Sequence, residues 1–252
     1  MSSAWAVYDL LQDQVPRAAV AEDILIGLVW TACRGPQGWG LAMTPAAAPR
    51  TLPWSGTLAG RPLAELAAWL RRFESHEASI GLAAVNAAIN TPANPLLRKA
   101  TPIMGAGPGN LAVFSHFRPQ LTDKRVVVVG RYPGLDAVLE GLDVIVLERQ
   151  PGPGDLPDPA CEYVLPEADW VFLTASSLAN KTFPRLAALS RQATTVLMGP
   201  GTPWLAELAA FGIDHLAGVA IQDPAWLRVT LAEGGGTRLF EGPVAYHLAS
   251  LA

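Results

Sequence analysis

Charge is what this chain has least of. Only 16% of its 252 residues are Asp, Glu, Lys or Arg, the formal net charge is -4 and the pI is near 5.6. No run of basic residues occurs. Phosphate neutralisation needs clustered Lys and Arg, so a nucleic-acid partner is excluded. Cysteine is nearly missing too. Cys33 and Cys161 lie far apart with no CxxC pair, which suits free thiols in a reducing compartment. The opening stretch "MSSAWAVYDLLQDQVPRAAV" has acids and a proline where a signal peptide has a basic region and an apolar block. A membrane span needs about 18–20 strongly apolar residues in a row. The nearest approach, residues 78–97, is broken by Asn and Ser, by Thr91 and by two prolines. The expectation is a soluble, cytoplasmic protein with no membrane partner. Half the residues are hydrophobic, enough for a well-buried core and for two domains.

The chain divides near residues 100–120. Ahead of that point two short strands, "DILIGLVWTAC" and "GWGLAMTP", flank a Gly/Pro turn at "RGPQG". The stretch "PLAELAAWLRRF" places Leu63, Leu66, Ala67, Leu70 and Phe73 at helical spacing, with Pro62 suited to the first helical position. A second helix covers "HEASIGLAAVNAAIN", and "NTPANP" and "GAGPGN" read as loop or linker. From Lys124 onward strands and helices alternate. "RVVVVG", "DVIVLE", "DWVFLT", "TTVLMG" and "LAGVAI" are five strands separated by helical stretches. The continuous β-branched run of the first marks a strand buried on both faces. The pattern predicts an α/β fold: a small α+β domain over residues 1–105, then a parallel, Rossmann-like domain over 106–252 with "VVVVG" near the sheet centre.

Ligands of such sheets sit at the carboxyl ends of the strands. One strand ends there in "TASSLANKT", presenting Thr174, Ser176 and Ser177. Asn180 can cap the following helix, but capping leaves the earlier hydroxyls unexplained. The next strand ends in "MGPGTPW". Thr202 there suits an N-cap before a helix starting near Pro203, and the Gly-Pro-Gly turn could turn backbone amides toward an anion. A third polar element is the helix from Glu77 to Asn90. It carries no charge after Glu77, and Ser79, Asn86 and Asn90 form one stripe, facing either a packed interface or a ligand cleft. "GRYPGL", after the first strand of the second domain, lacks the glycines of a dinucleotide loop. Glu148, 18 residues beyond Gly130, stands roughly where a ribose-binding acid would. No nucleotide cofactor is expected.

Four stretches together, "RTLPWSGTLAGRPLAELAAWL", "EASIGLAAVNAAIN", "ADWVFLTASSLANKTF" and "GPGTPW", resemble the bacterial and archaeal family of putative heavy-metal chelation domain proteins. The resemblance runs along nearly the whole chain. It implies an enolase-N-terminal-like domain followed by a Rossmann-like domain, with a site between them. It also places Glu77, Asn86, Thr174, Asn180, Thr182, Gly199 and Thr202 in the family's motif positions, and it implies a transition metal. Two positions depart from the family pattern: Ala175 stands where Gly is usual, and Gly201 where Ser is usual.

A soft metal calls for thiolate and imidazole ligands. Cys33, Cys161, His76, His116, His215 and His247 are the candidates, none at motif spacing. His76, beside Glu77, is the best placed, with Cys33 the other candidate, while His247 reads as a strand residue. Hydroxyl and amide groups suit a metal already chelated by a small anionic molecule. Two functions follow: binding or handling of a metal or its anionic chelate in the interdomain cleft, or an enzyme, transferase-like or nucleotide-using, acting there. Eight tryptophans and little charge further predict a homodimer, with "TLPWSGTL" at an interface or cleft edge.

Overall fold

The computed structural model describes residues 4–46, 51–103 and 108–251. Part of the expected linker "GAGPGN", residues 105–107, lies outside them. The chain opens with helix α1 (Ala6–Asp13). A three-stranded antiparallel sheet follows, β1 (Asp23–Ile26), β2 (Trp30–Gly35) and β3 (Gly38–Met43). The single strand expected over "DILIGLVWTAC" is therefore two strands, divided at Gly27, whose N–H bonds the Trp30 carbonyl. A Cβ on Gly27 would meet the Leu231 carbonyl oxygen at 2.5 Å, so only glycine lets this turn pass so close to another backbone.

Three helices complete the N-terminal part: α2 (Leu63–Ala68), α3 (Ser75–Ile89) and α4 (Pro95–Lys99). Pro62 precedes α2 rather than opening it. Glu74 starts α3, its carboxylate accepting the N–H groups of His76 and Glu77. Twelve of the fifteen α3 residues are buried, and this explains a helix without charge after Glu77: it has no solvent face. It lies against β2, β3 and α2, and glycine sets how closely. A Cβ on Gly40 of β3 would stand 2.1 Å from the Ala83 carbonyl oxygen, and one on Gly81 would stand 2.1 Å from the Leu70 nitrogen.

The second sheet has eight strands where the sequence suggested five. They are β4 (Thr101–Pro102), β5 (Arg125–Val129), β6 (Asp143–Glu148), β7 (Leu156–Pro157), β8 (Trp170–Thr174), β9 (Thr194–Met198), β10 (His215–Ile221) and β11 (Val244–Ser250). Their order is β4-β11-β10-β9-β8-β5-β6-β7. From β10 to β7 all neighbours are parallel, while β11 and β4 add an antiparallel edge. The "VVVVG" strand lies between β8 and β6, and with β8 it forms the middle pair of the parallel set, near the centre as expected. His247 is on β11, as its setting suggested. The linking helices are α5 (Ala112–Phe117), α6 (Leu135–Val138), α7 (Cys161–Val164), α8 (Ser176–Ala179), α9 (Phe183–Leu189) and α10 (Pro224–Ala232). Successive strand residues point to opposite faces. Val127, Val129, Val171 and Leu173 thus join one core, shared with α3, and Val126, Val128, Phe172 and Met198 join the other. No helix is long and apolar enough to cross a membrane among the described residues.

Candidate functional site

Helix α3 runs from the turn around α8 to the loop after β9, and its two ends behave differently. At the C-terminal end Asn86 is fully buried. Its amide donates to the Leu41 carbonyl of β3 at 2.8 Å and to the Gly201 carbonyl at 2.9 Å. Asn90 caps the helix. It donates to the Thr202 carbonyl at 2.9 Å and accepts the Trp204 N–H at 2.9 Å. Ser79 donates to the Met43 carbonyl at 2.8 Å. The polar stripe therefore braces a packed interface between the two parts of the chain. Two atoms of this junction have no partner: Asn86 Oδ1 and the hydroxyl of the fully buried Thr202.

The loop itself differs from the expected cap. After Gly199, at φ 120, the Thr202 N–H closes a turn on the Gly199 carbonyl. A 3-10 helix begins only at Ala206, with no side-chain cap. Thr202 therefore caps no helix, and no helix N-terminus faces an anion here. Pro203 and Trp204 carry the chain past α3, and Trp204 fills the core.

At the strand end of β8 the Thr174 hydroxyl lies 3.3 Å from Ser176 Oγ, and the Ser177 hydroxyl donates to the Thr174 carbonyl at 2.7 Å. Ser177 is fully buried, and its hydroxyl closes the first turn of α8. Ser176 Oγ lies 3.4 Å from the Met43 sulfur, so β3 covers this strand end. Asn180 Oδ1 accepts the Thr182 N–H at 3.0 Å and its hydroxyl at 2.6 Å, a local turn leading into α9. Glu77 pairs with Arg72 at 2.7 Å. The residues singled out in the sequence thus form two groups. Asn86, Gly199 and Thr202 meet at one end of α3. Glu77 belongs to the other end, the one nearer α8, Asn180 and Thr182. Ser79 and Asn86 are seven residues apart on one helix, so the groups are separated by roughly 10 Å.

The soft-metal candidates do not converge. Cys33 is fully buried on β2, and burial, with Asp23 adding to it, pushes its thiol up to about 12; a thiolate is disfavoured there. His76 is 2% exposed, its Nδ1 3.4 Å from Glu74 Oε1. Burial alone would raise the Glu74 carboxyl, but the backbone N–H groups of Glu77 and His76 outweigh it and hold it low. Among the described residues no three His, Cys, Asp or Glu side chains come together in a way that could hold a metal ion. A bare heavy-metal ion does not fit these donors. Glu148 is engaged as well. Its two oxygens accept the backbone N–H groups of Arg131 and Arg149, which holds the β5–α6 turn rather than offering a carboxylate to a ribose.

The sequence reading passed over the one cation of the strand-end motif. Lys181 sits between Asn180 and Thr182 at φ 70, with its amine donating to the Ala179 carbonyl at 2.6 Å. Burial pushes that amine down to about 8. Tyr8 and Gln12 of α1 contribute two further polar atoms that are buried and without partners. Their positions, one turn apart in an N-terminal stretch, were the only signal, and it is invisible until α1 is packed against the second part of the chain.

Two family models match, both described as "Putative heavy-metal chelation": DUF4213 over residues 8–89 and DUF364 over residues 112–250. The chain belongs to the DUF364 family. A DUF364 protein of unknown function from Desulfitobacterium hafniense DCB-2 superposes with a TM-score of 0.85 at 30% identity, over 98% of both chains. Another from Pyrococcus horikoshii superposes with a TM-score of 0.78 at 21% identity, over 98% of this chain and 99% of its own, and shows the fold alone. None of the curated proteins matches the chain.

Proposed function

We propose that this protein binds a small anionic molecule, alone or as a heavy-metal chelate, where the α8–α9 turn meets α1 and the N-terminal end of α3. The observation that carries the reading is the donor set. Hydroxyls, amides and one lysine gather at the carboxyl edge of the parallel sheet, while the His, Cys, Asp and Glu side chains of the described residues do not cluster. Such donors suit the oxygen atoms of an organic chelator, and the family's description supplies the metal. Protein purified without added metal should release an organic acid detectable by mass spectrometry, with any metal lost alongside it. Stoichiometric metal that leaves with a chelator while no organic molecule is released would overturn the reading. Bound nucleotide would favour an enzyme.

Self-association is also proposed, on a surface to which only one of the tryptophans contributes. Of the eight only Trp226 is largely exposed, and Trp54 of "TLPWSGTL" packs on Trp69 at 5.6 Å. The exposed apolar side chains Ile26, Leu28, Trp226 and Val229 lie on β1, on its turn and on α10, which packs on β1. A monomeric mass by light scattering at micromolar concentration counts against a dimer there.

A further inference from the structure

Lysine is rare in this chain. Lys99, Lys124 and Lys181 are the only three, against fifteen arginines. Lys99 and Lys124 are exposed, as solvated lysines usually are. Lys181 is partly buried and held at a left-handed φ of 70, a conformation that side-chain-bearing residues adopt at some cost and often at functional sites. Among the described residues no carboxylate pairs with its ammonium. The amine lies 5.9 Å from the centre of the Tyr8 ring and 6.0 Å from that of Phe73. Neighbouring arginines are already committed, Arg71 to Asp9, Arg72 to Glu77 and Arg185 to Glu162.

Across from Lys181, Tyr8 is 1% exposed and its hydroxyl has no partner; Gln12 Nε2 is buried and has none either. Residues four apart share a helix face, so both belong to the face of α1 that meets Lys181. The Tyr8 hydroxyl and Gln12 Nε2 are buried without partners, and the Lys181 amine over the Tyr8 ring has one backbone carbonyl as its acceptor. Buried donors left so are costly, and a bound oxyanion would satisfy them. With the arginines paired, one positive charge is on offer. It matches a carboxylate better than a dianionic phosphate.

We infer that Lys181, Tyr8 and Gln12 form a subsite for a carboxylate group of the bound molecule. The subsite rests on the anionic-ligand reading above and names the chemistry that the ligand must carry. Lys181 supplies the charge, and Tyr8 and Gln12 fix the orientation of the two oxygens. The remaining contacts of the ligand fall to the Thr174–Thr182 turn.

The test is amine labelling with trinitrobenzenesulfonate, read residue by residue by mass spectrometry, with citrate as the probe and phosphate as the comparison. Lys99 and Lys124 are internal references. Citrate should slow the labelling of Lys181 alone, about tenfold at ten times its Kd, where roughly a tenth of the sites stay free. Tyr8→Phe should weaken that protection while leaving the circular dichroism spectrum unchanged. Gln12→Leu serves if Tyr8→Phe fails to fold. Labelling of Lys181 unaffected by citrate, equal slowing at all three lysines, or protection by phosphate as strong as by citrate overturns the subsite. Failures of the two proposals are distinguishable. An organic acid that copurifies, but whose removal leaves Lys181 labelling unchanged, defeats the subsite and spares the broader reading. Protection by citrate in a protein that carries only bare metal does the reverse.

Discussion

The two ends of α3 carry similar polar residues and put them to opposite uses. At the C-terminal end Asn86 and Asn90 reach across to the backbone of the loop after β9, where three hydrogen bonds tie two parts of the chain together and only Asn86 Oδ1 and the Thr202 hydroxyl are left without partners. At the N-terminal end Glu77 pairs with an arginine, and beyond it the Tyr8 hydroxyl and Gln12 Nε2 are unpartnered, while the Lys181 amine has a backbone carbonyl but no counter-ion. A polar group whose partner is backbone contributes to the fold. One that is buried and unpartnered costs stability, and it survives where something else uses it. Residue type alone does not separate these cases; partners do.

If that division is right, variants at the C-terminal end should lose stability. The largest loss is expected where α3 meets β3. Gly40→Ala would force a Cβ to within 2.1 Å of the Ala83 carbonyl oxygen and the Ala87 nitrogen. Both are backbone atoms, which cannot swing away. A cost on the order of 4 kcal/mol or more is expected, enough to prevent accumulation of folded protein. Urea unfolding, or soluble yield if the chain does not fold, measures it. A wild-type-like midpoint would show that the helix can move off the sheet. Next comes Asn86→Ala, which strands the Leu41 and Gly201 carbonyls in a dry interior. Roughly 2–4 kcal/mol is expected, with the same loss in the presence and absence of ligand. Asn90→Ala should cost somewhat less, roughly 1–3 kcal/mol, because the helix end is only partly buried. If Asn86→Ala instead keeps its stability and loses binding, Asn86 belongs to the site and the comparison collapses.

Much of the fold was legible for the same reason that the site was not. The β-branched run at 125–129, the helix at 75–89 with no charge after Glu77 and the strand ending at Thr174 follow from local pattern, and all three form. Where the sequence misled, long-range contact decided. "TPWLAELAAFG" has the composition of an α-helix, yet Asn90 and Asn86 hold the Thr202 and Gly201 carbonyls and the chain takes a 3-10 turn only from Ala206. Strand β11 was signalled only through the setting of His247, and its antiparallel pairing with β10 and β4 is a long-range property that the local pattern did not carry. The residues expected at the site were mostly hydroxyls and amides, with Glu77 and Gly199 beside them. Several of these close local turns, as Ser177 does on Thr174 and Asn180 on Thr182. Lys181 stood in the same motif, but a left-handed backbone and a missing counter-ion are properties of packing, and no residue pattern encodes them.

Substitution at Lys181 sharpens the contrast, because the effect should have the opposite sign. A left-handed conformation costs a residue with a Cβ about 1–2 kcal/mol, and glycine escapes that cost while losing part of the gain through its freer unfolded chain. Removal of a partly buried ammonium without a counter-ion adds to the gain. Lys181→Gly is therefore expected to raise the stability of ligand-free protein by up to about 1 kcal/mol and to abolish citrate protection of the site as read by competition or calorimetry. A Lys181→Gly protein clearly less stable than the wild type would mean that the lysine braces the fold as the asparagines do.

The smallest expected effect is in the pH dependence of stability. Burial lowers the Lys181 amine from 10.5 to about 8. Below that lower value both folded and unfolded chains hold the proton, and the cost of the buried charge is present in full. Between about 8 and 10.5 the unfolded chain keeps a proton that the folded chain has released. Stability therefore rises with pH through this window, since the unfolded state binds more protons. Among the described residues no carboxylate pairs with the amine to reverse the sign. The groups around it are the Tyr8 and Phe73 rings and the Ala179 carbonyl, while Glu77 is held by Arg72. Other groups titrate in the same range, so the wild-type curve alone does not isolate the lysine. Its difference from the Lys181→Gln curve does, and that difference should climb in favour of the wild type as pH goes from 8 toward 10.5. Saturating citrate should flatten it at the lower end, because a bound carboxylate holds the amine charged and moves its titration upward. A flat difference without citrate means that the amine is solvated and the unpartnered end of α3 is ordinary surface. A slope that citrate leaves untouched means that the carboxylate binds elsewhere.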